Sequence, residues 1–474
     1  MFEDEYKNEQ EEHHEDGLTE LISSYENAVN DNQSLHLDHE AYEKIIDFYE
    51  DNHSSEKALV AAEYACSQYP YSATFMIRKA QLFIDLRRFE EANELLNKAE
   101  ILDGEDMSIY LTRADLLVWQ GKHHEAIKLL KDYIEKAEDE DKEDLYLELA
   151  DIYEDCERYD RVVFCLKQAM EHNPKSDEAL NRLWFCTELL ENYDAMVDFY
   201  QTLLDKDPYL TMAWFNLAHC YAGLDLWEKS IEAFEFVLAI DDKFEDAYVD
   251  CADIYFTLKQ YRKAIDLYKN ATTLSRVSKE VYFQIGMCYE KLKDYNRART
   301  YYRKSLTIDS DFDEAFFRIG ECYKLDKRFV EALSSLERAL KLYPDNVFYL
   351  KAIAEVHIST NEIDSAINIF EKIIEIDGSK KWQWIDLAST QYSYDRKIEA
   401  IETLDIALGR FKKFSELLYA KSALLYAMGR KKEALEILQQ ALSIKFKHHS
   451  LIFGLNKQMK YDTDVLHLIE QYKS

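Results

Sequence analysis

The sequence predicts an all-α chain built from stacked helix pairs, and three observations carry that prediction. Breakers are scarce: 10 Gly and 4 Pro stand in 474 residues, roughly a quarter of what an average globular chain carries. The hydrophobic share is 47% and the aromatic share 14%, enough to build a core and too much for a chain disordered throughout. Third, residues 211–244, 245–278, 279–312 and 313–346 repeat one pattern of aromatic, small and alanine positions every 34 residues. A unit of that length with so few breakers holds two helices and short turns. It cannot bury its apolar face alone, so the units must stack into a solenoid rather than form separate globules.

Along the chain, residues 1–16 carry eight acids and one Lys and are expected to be a disordered acidic tail. Residues 17–38, with LTELISSYENAVNDN, are expected to form a capping helix. Residues 39–448 divide into twelve units starting at 39, 73, 107, 143, 177, 211, 245, 279, 313, 347, 381 and 415, all of 34 residues except the unit at 107, which has 36. Its extra length falls near the charged run at 138–144. Residues 449–474 are expected to be a degenerate unit or a capping pair of helices.

The columns of the unit have physical reasons. Position 8 is small in ten of twelve copies (Ala150, Ala218, Gly286, Gly320) and position 20 is Ala in nine (Ala92, Ala264, Ala332), which lets two helices cross closely. Position 11 is Tyr in six copies and fills the space beside them. All four prolines, at 70, 174, 208 and 344, share position 32, the stop after the second helix. Gly121 and Gly429 mark position 15, where the first helix turns into the second. Two units depart from the pattern: Trp184 occupies a small position, Val162 and Met196 replace Ala, and Thr187 replaces Tyr. The array is expected to widen or change twist over 143–210.

The unit resembles the tetratricopeptide repeat. Trp214, Leu217, Ala218, Tyr221, Ser230, Phe234 and Val237 match its pattern in one copy; Phe316, Ile319, Gly320, Tyr323, Ala332, Leu336, Ala339 and Pro344 match it in another. The resemblance covers 39–448 and implies a right-handed TPR α-solenoid superhelix. Its concave groove would hold a protein or peptide, and a chain of this family is expected to act as a scaffold or adaptor rather than as an enzyme.

Charge narrows the partners. The formal net charge is −34, so neither nucleic acid nor an anionic membrane is expected to bind. No apolar leader and no run of 18 apolar residues is visible. Eight cysteines without a CxxC pair fit a reducing cytoplasm. Cys186, Cys220, Cys288 and Cys322 all fall at position 10, whole repeats apart, and read as small apolar fillers. No nucleotide-binding, nucleophile-elbow or zinc-protease motif occurs. The adjacent His pairs at 13/14, 123/124 and 448/449 point about 100° apart on a helix and read as surface residues. No cofactor is expected.

Helical rotation puts positions 4, 7, 8 and 11 on the packing face and positions 2, 5, 9 and 12 on a second face of the same helix. In the family this second face lines the groove. Position 5 holds Leu147, Phe215, Val249, Phe283 and Phe317, and position 9 holds Asp151, Asp253, Glu321 and Glu355. An apolar row beside an acidic row suits a basic amphipathic segment. The same rows also fit rings half-buried between neighbouring first helices and a solvated acidic face. The family's carboxylate clamp, Lys at position 5 with Asn at position 9, is absent, since Lys351 is followed by Glu355. A second surface is suggested near the C-terminus, where residues 396–474 carry a net +5 and include Lys412, Lys413, Arg430, Lys431 and Lys432. Self-assembly through that surface into a homo-oligomer, or service as a regulatory subunit of a larger complex, are the alternatives to the scaffold reading.

Overall fold

A computed structural model describes residues 18–30, 36–274, 278–411 and 414–473. These residues are helices joined by short turns, with no strand among them. The chain divides into two compact units, residues 1–242 and 243–474.

The first unit begins with α1 (18–30). Six helix pairs follow: α2 (His39–Asp51) with α3 (Ser55–Gln68), α4 (Ala73–Asp85) with α5 (Phe89–Leu102), and α6 (Met107–Trp119) with α7 (His123–Ile134). Then come α8 (Lys142–Asp155) with α9 (Tyr159–His172), α10 (Asp177–Leu190) with α11 (Tyr193–Lys206), and α12 (Thr211–Gly223) with α13 (Trp227–Ile240). Ile22 and Tyr25 of α1 are buried over the first pair, where Tyr25 lies 6.3 Å from the rings of Tyr49 and Tyr64.

The second unit contains the pairs α14 (Glu245–Thr257) and α15 (Tyr261–Ala271), α16 (Lys279–Lys291) and α17 (Tyr295–Ile308), α18 (Asp313–Leu325) and α19 (Phe329–Leu342). It continues with α20 (Val347–Ser359) and α21 (Ile363–Asp377), α22 (Lys381–Ser393) and α23 (Lys397–Arg410), α24 (Ser415–Ala427) and α25 (Lys431–Ile444). Two short helices, α26 (Leu451–Leu455) and α27 (Thr463–Gln471), close it, burying Ile452, Val465 and Ile469 against Leu438 and Leu442 of α25.

Each pair is built by one crossing. Position 8 of the first helix lies against position 24 of the second. A methyl group added at Gly286 would stand 2.6 Å from the Tyr302 ring, and one at Gly320 would stand 2.6 Å from Leu336 Cγ. The column is small because the facing column is large. The turn between the two helices is as regular. Residue 15 of every pair has positive φ, from 51° at His53 and Glu191 to 79° at Gly429. In eleven pairs the N–H of residue 16 then donates to the carbonyl of residue 11, as Arg88 does to Phe83 (2.7 Å) and Leu226 to Tyr221 (2.8 Å). This is the 6→1 bond of a Schellman end, which satisfies a carbonyl the helix leaves orphaned.

The α10–α11 pair lacks that bond. Its first helix runs one residue further, to Leu190, and the two helices make few close approaches. The cause is Trp184, which cannot occupy position 8 beside the fully buried Tyr200. The indole instead turns out, half-buried, onto His219 of α12, with ring centroids 4.3 Å apart. Buried Asn216 of α12 donates to Leu180 O (2.8 Å) and lies 3.3 Å from Tyr200 Oη. Of the two units that depart from the pattern, only this pair is irregular, and the pair over 143–176 keeps its turn bond. Met196 and Val162 are fully buried without disrupting their helices. The position-10 cysteines are buried as fillers.

Two predictions follow from the turn and the crossing. A non-glycine residue at positive φ costs about 1 kcal/mol or more. Lys293→Gly should therefore raise the urea midpoint by an amount equivalent to at most about 1 kcal/mol, and Gly121→Ala should lower it by about 1 kcal/mol. Trp184→Ala should cost about 1–2 kcal/mol, less than the 3–5 kcal/mol of a fully buried aromatic, when read in the same denaturation assay.

Candidate functional site

The second face of the first helices carries the candidate residues, and burial separates them into two classes. At position 5, Phe215 and Phe283 are buried, 9% and 7% exposed. Phe215 packs on His219 and Phe234, at 4.6 and 5.7 Å between centroids. Phe283 packs on Tyr302 and Phe312, at 5.2 and 5.0 Å. The expectation that these two rings are open anchors is thus corrected: neighbouring helices close over position 5, and the rings belong to the core. Phe317, Leu147 and Val249 are half-buried, with Phe317 lying 5.0 Å from Tyr349.

The acids at position 9 reach solvent to different degrees, and each has a partner inside the chain. In the first unit, Asp151 meets Arg182 of α10 at 2.5 Å, and the same guanidinium reaches Glu154 (3.0 Å) and Glu178 (3.2 Å). Beside it, the carboxyls of Asp115 in α6 and Glu148 in α8 act on each other. Burial first, then the charges of Asp115 and Asp151, push Glu148 up to about 7. Burial raises Asp115 and Asp151 as well, with Arg182 opposing the rise at Asp151.

In the second unit, the Tyr268 hydroxyl donates to Asp253, whose carboxyl is raised by burial. Glu321 and Glu355 share one cation, Lys324, at 2.7 and 2.8 Å. Lys351 reaches across to Asp386 of α22 at 2.5 Å. The acidic row is therefore an alternation of acids and bases laid across successive first helices, rather than a row of free carboxylates.

A cavity of about 400 Å³ opens on this face in the second unit. Lys351, Glu355 and Ile358 of α20 form one side, with Phe370 of α21 behind. Asp386, Ser389, Thr390, Ser393 and Tyr394 form the other. Four hydroxyls, two carboxylates and an ammonium thus converge on one opening. Sequence reasoning found Glu355 but missed the hydroxyl wall. Its signal was present, since Ser389 occupies position 9 and Ser393 lies one turn further on.

Of the C-terminal basic residues expected to form a second surface, two are paired within the chain and one is exposed. Lys412 and Lys413 lie outside the described residues. Lys431 is held by Asp462 and Asp464, both at 2.7 Å. Burial pushes Asp462 up, but the Lys431 ammonium, the Tyr426 hydroxyl and the N–H groups of Val465 and Asp464 outweigh it and hold its carboxyl at about 2. Arg430, just before α25, is paired with Glu433 in its first turn (Nε–Oε1 2.9 Å). Lys432 is exposed. The helix Thr463–Gln471 and the residue before it bring two acids onto Lys431, so part of the local positive charge is spent within the chain.

The described residues hold no group of three or more metal-ligating side chains and no helix long and apolar enough to cross a membrane. Tetratricopeptide repeat models match residues 77–141, 143–176, 245–277, 279–312, 313–346, 352–380 and 415–448, together more than half of the chain. No curated protein is significantly similar to it. Among solved structures, YrrB, described as a TPR protein with an unusual peptide-binding site, is 17% identical over 39% of this chain and 95% of its own, with a TM-score of 0.34. The C-terminal part of a TPR repeat-containing protein from Cytophaga hutchinsonii is 13% identical over 58% of this chain and 99% of its own, with a TM-score of 0.41. MamA from Desulfovibrio magneticus RS-1 is 14% identical over 36% of this chain and 97% of its own, with a TM-score of 0.34.

Two outcomes test this description. A carboxyl raised in the folded state favours folding while it is protonated. That contribution is complete below the unfolded value near 4.5 and is lost as the pH climbs through about 7. Glu148→Gln should therefore stabilise the chain at pH 8 by roughly 1–2 kcal/mol, discounted for partial exposure, and change little at pH 4, as read from denaturation midpoints at the two pH values. Phe283→Ala should cost about 3–5 kcal/mol and should show as lost stability in the same assay, since the ring is a core residue.

Proposed function

Because the chain belongs to the tetratricopeptide repeat family, we propose that it is a protein-interaction scaffold that takes a segment of a partner protein on the first-helix face of its second unit. The observation that carries this reading is the cavity between α20 and α22, where Glu355, Lys351 and Asp386 stand beside a wall of hydroxyls. Such an opening accepts one long polar or basic side chain and fixes it by charge-assisted hydrogen bonds. The internal ion pairs matter to the chemistry. A partner Lys or Arg competes with Lys324 for Glu355, so the contact supplies selectivity and on-rate more than raw affinity. Half-buried Phe317 remains as an apolar contact on the same face, and Asp253 and Glu321 extend the polar one. In the first unit Leu147 and Asp151, and in the second Val249, occupy the equivalent positions, so the face can be used by more than one segment. The scaffold works by presentation, with chemistry left to whatever it holds.

Partners retained by the wild-type chain should be compared with those retained by Glu355→Lys/Ser389→Trp, which reverses one charge and fills the opening. The reading expects a defined set of proteins to be lost by that variant with its helical signal and midpoint unchanged. An identical partner set for the two chains would show that this face is not the binding surface.

A further inference from the structure

The second-helix face of α15 and α17 departs from the charge of the rest of the chain. Helix α17 holds Arg297, Arg299, Arg303 and Lys304 and no acid; α15 holds Arg262, Lys263 and Lys269 against the single Asp266. The whole chain has 92 acids to 58 bases, so a random stretch would be expected to find carboxylates close by. Some bases elsewhere do find them, as Arg182, Lys324 and Lys351 show, and others, such as Lys131, Lys167 and Lys229, rest singly on rings. Here Arg297 pairs with Asp294 (2.6 Å) and buried Arg299 with Asp326 (2.5 Å). Lys263, Lys269, Arg303 and Lys304 have no carboxylate within ion-pair distance among the described residues.

Tyrosine rings hold these four instead. Lys263 lies 4.9 Å from the Tyr255 ring. Lys269 donates to the Tyr289 hydroxyl at 3.2 Å. Lys304 lies 4.8 Å from Tyr301 and 5.2 Å from Tyr282. Arg303 donates to the Tyr323 hydroxyl. Tyr289 and Tyr301 stack at 5.5 Å, joining the cations of α15 to those of α17 through α16. A cation held over a ring face spends no N–H on it, whereas Lys269 and Arg303 each spend one on a hydroxyl and keep the rest. Lys263, Arg303 and Lys304 are exposed, and Lys269 is half-buried. The result is a row of charged donors already ordered and without an anion.

We propose that this tyrosine–cation face of α15–α17 docks an Asp/Glu-rich segment of a protein. The argument is charge complementarity together with preorganisation. Carboxylates would complete the donors that the rings leave open, and little side-chain freedom is lost in doing so. Nucleic acid fits less well: the chain as a whole repels it, and the patch is a few side chains wide. The site lies on a different face from the one proposed above, so either can fail without the other.

The probe is a labelled peptide with the sequence of residues 1–16, which carries eight acids with Phe2 and Tyr6 among them. Its fluorescence anisotropy is followed as the full chain is titrated in. Salt of about 0.15 M screens the long-range repulsion to about 8 Å and leaves the contacts. Saturable binding is expected, weakened at least about tenfold in Arg303→Glu/Lys304→Glu. The milder Arg303→Gln/Lys304→Gln should weaken it in the same direction and stands in if the reversal disturbs the helical signal. Lys372→Glu/Lys432→Glu makes the same charge change at exposed positions elsewhere and should leave binding within about twofold. No saturable binding to the wild-type chain, or equal loss in the distant control, overturns the proposal. So does tighter binding of a single-stranded oligo(dT) of about 20 nucleotides with the same sensitivity to Arg303 and Lys304.

Discussion

The crossing of the two helices in each pair governs the rest of the molecule. At Gly286 and Gly320 the facing Tyr302 and Leu336 leave no room for a methyl group. At the other small positions, such as Ala150 and Ala218, the side chain is completely buried. So tight a contact fixes the distance between the two helices, and with it the turn: residue 15 must adopt a left-handed conformation to bring residue 16 back under the carbonyl of residue 11. The chain accepts that conformation at ten non-glycine residues, most of them charged. Close packing over many pairs outweighs a local cost of about 1 kcal/mol at each turn. Where the crossing fails, at Trp184, the turn bond fails with it.

Fixing the crossing also decides which surfaces remain for other work. Column-24 tyrosines pass from the second helix through the pair, and their hydroxyls emerge among the acids of the first. Tyr302 donates to Glu290 at 2.7 Å and Tyr268 donates to Asp253. The polar face is thus anchored to the core by side chains that belong to both. On the opposite side, the column-11 tyrosines present their rings to bases of the second helices, as Tyr221 does to Lys229 and Tyr255 to Lys263. One residue type serves two faces with two chemistries, a hydroxyl donor toward carboxylates and a ring face toward cations.

The family membership and the helix-pair architecture were legible in the sequence because they depend on local period and on residue size. Scarce Gly and Pro, Ala at position 20 and small residues at position 8 are properties of single columns, and Trp184 announced the one irregular pair by breaking its column. The candidate site was legible only in part. Position 9 is polar in most units of the sequence, and Glu355 lines a cavity. Position 5 was not resolved, because Phe215, Phe283 and Phe317 have the same place in their units and differ in what neighbouring elements lay over them.

Pairing across units was decided by tertiary structure alone. Arg182 finds Asp151 31 residues earlier, Lys324 finds Glu355 31 residues later, and Lys351 finds Asp386 35 residues later. No single repeat contains both partners. A charge count along the chain treats these residues as free, whereas stacking brings each acid within reach of a base from the next unit. The same stacking ties Lys431 to Asp462 at the C-terminal end and leaves Arg303 and Lys304 among rings. Column identity is set by a helix and its partner, and the sequence by itself determined it. Charge compensation is set by which columns of adjacent units face one another within hydrogen-bond reach, and only the folded stack decided that.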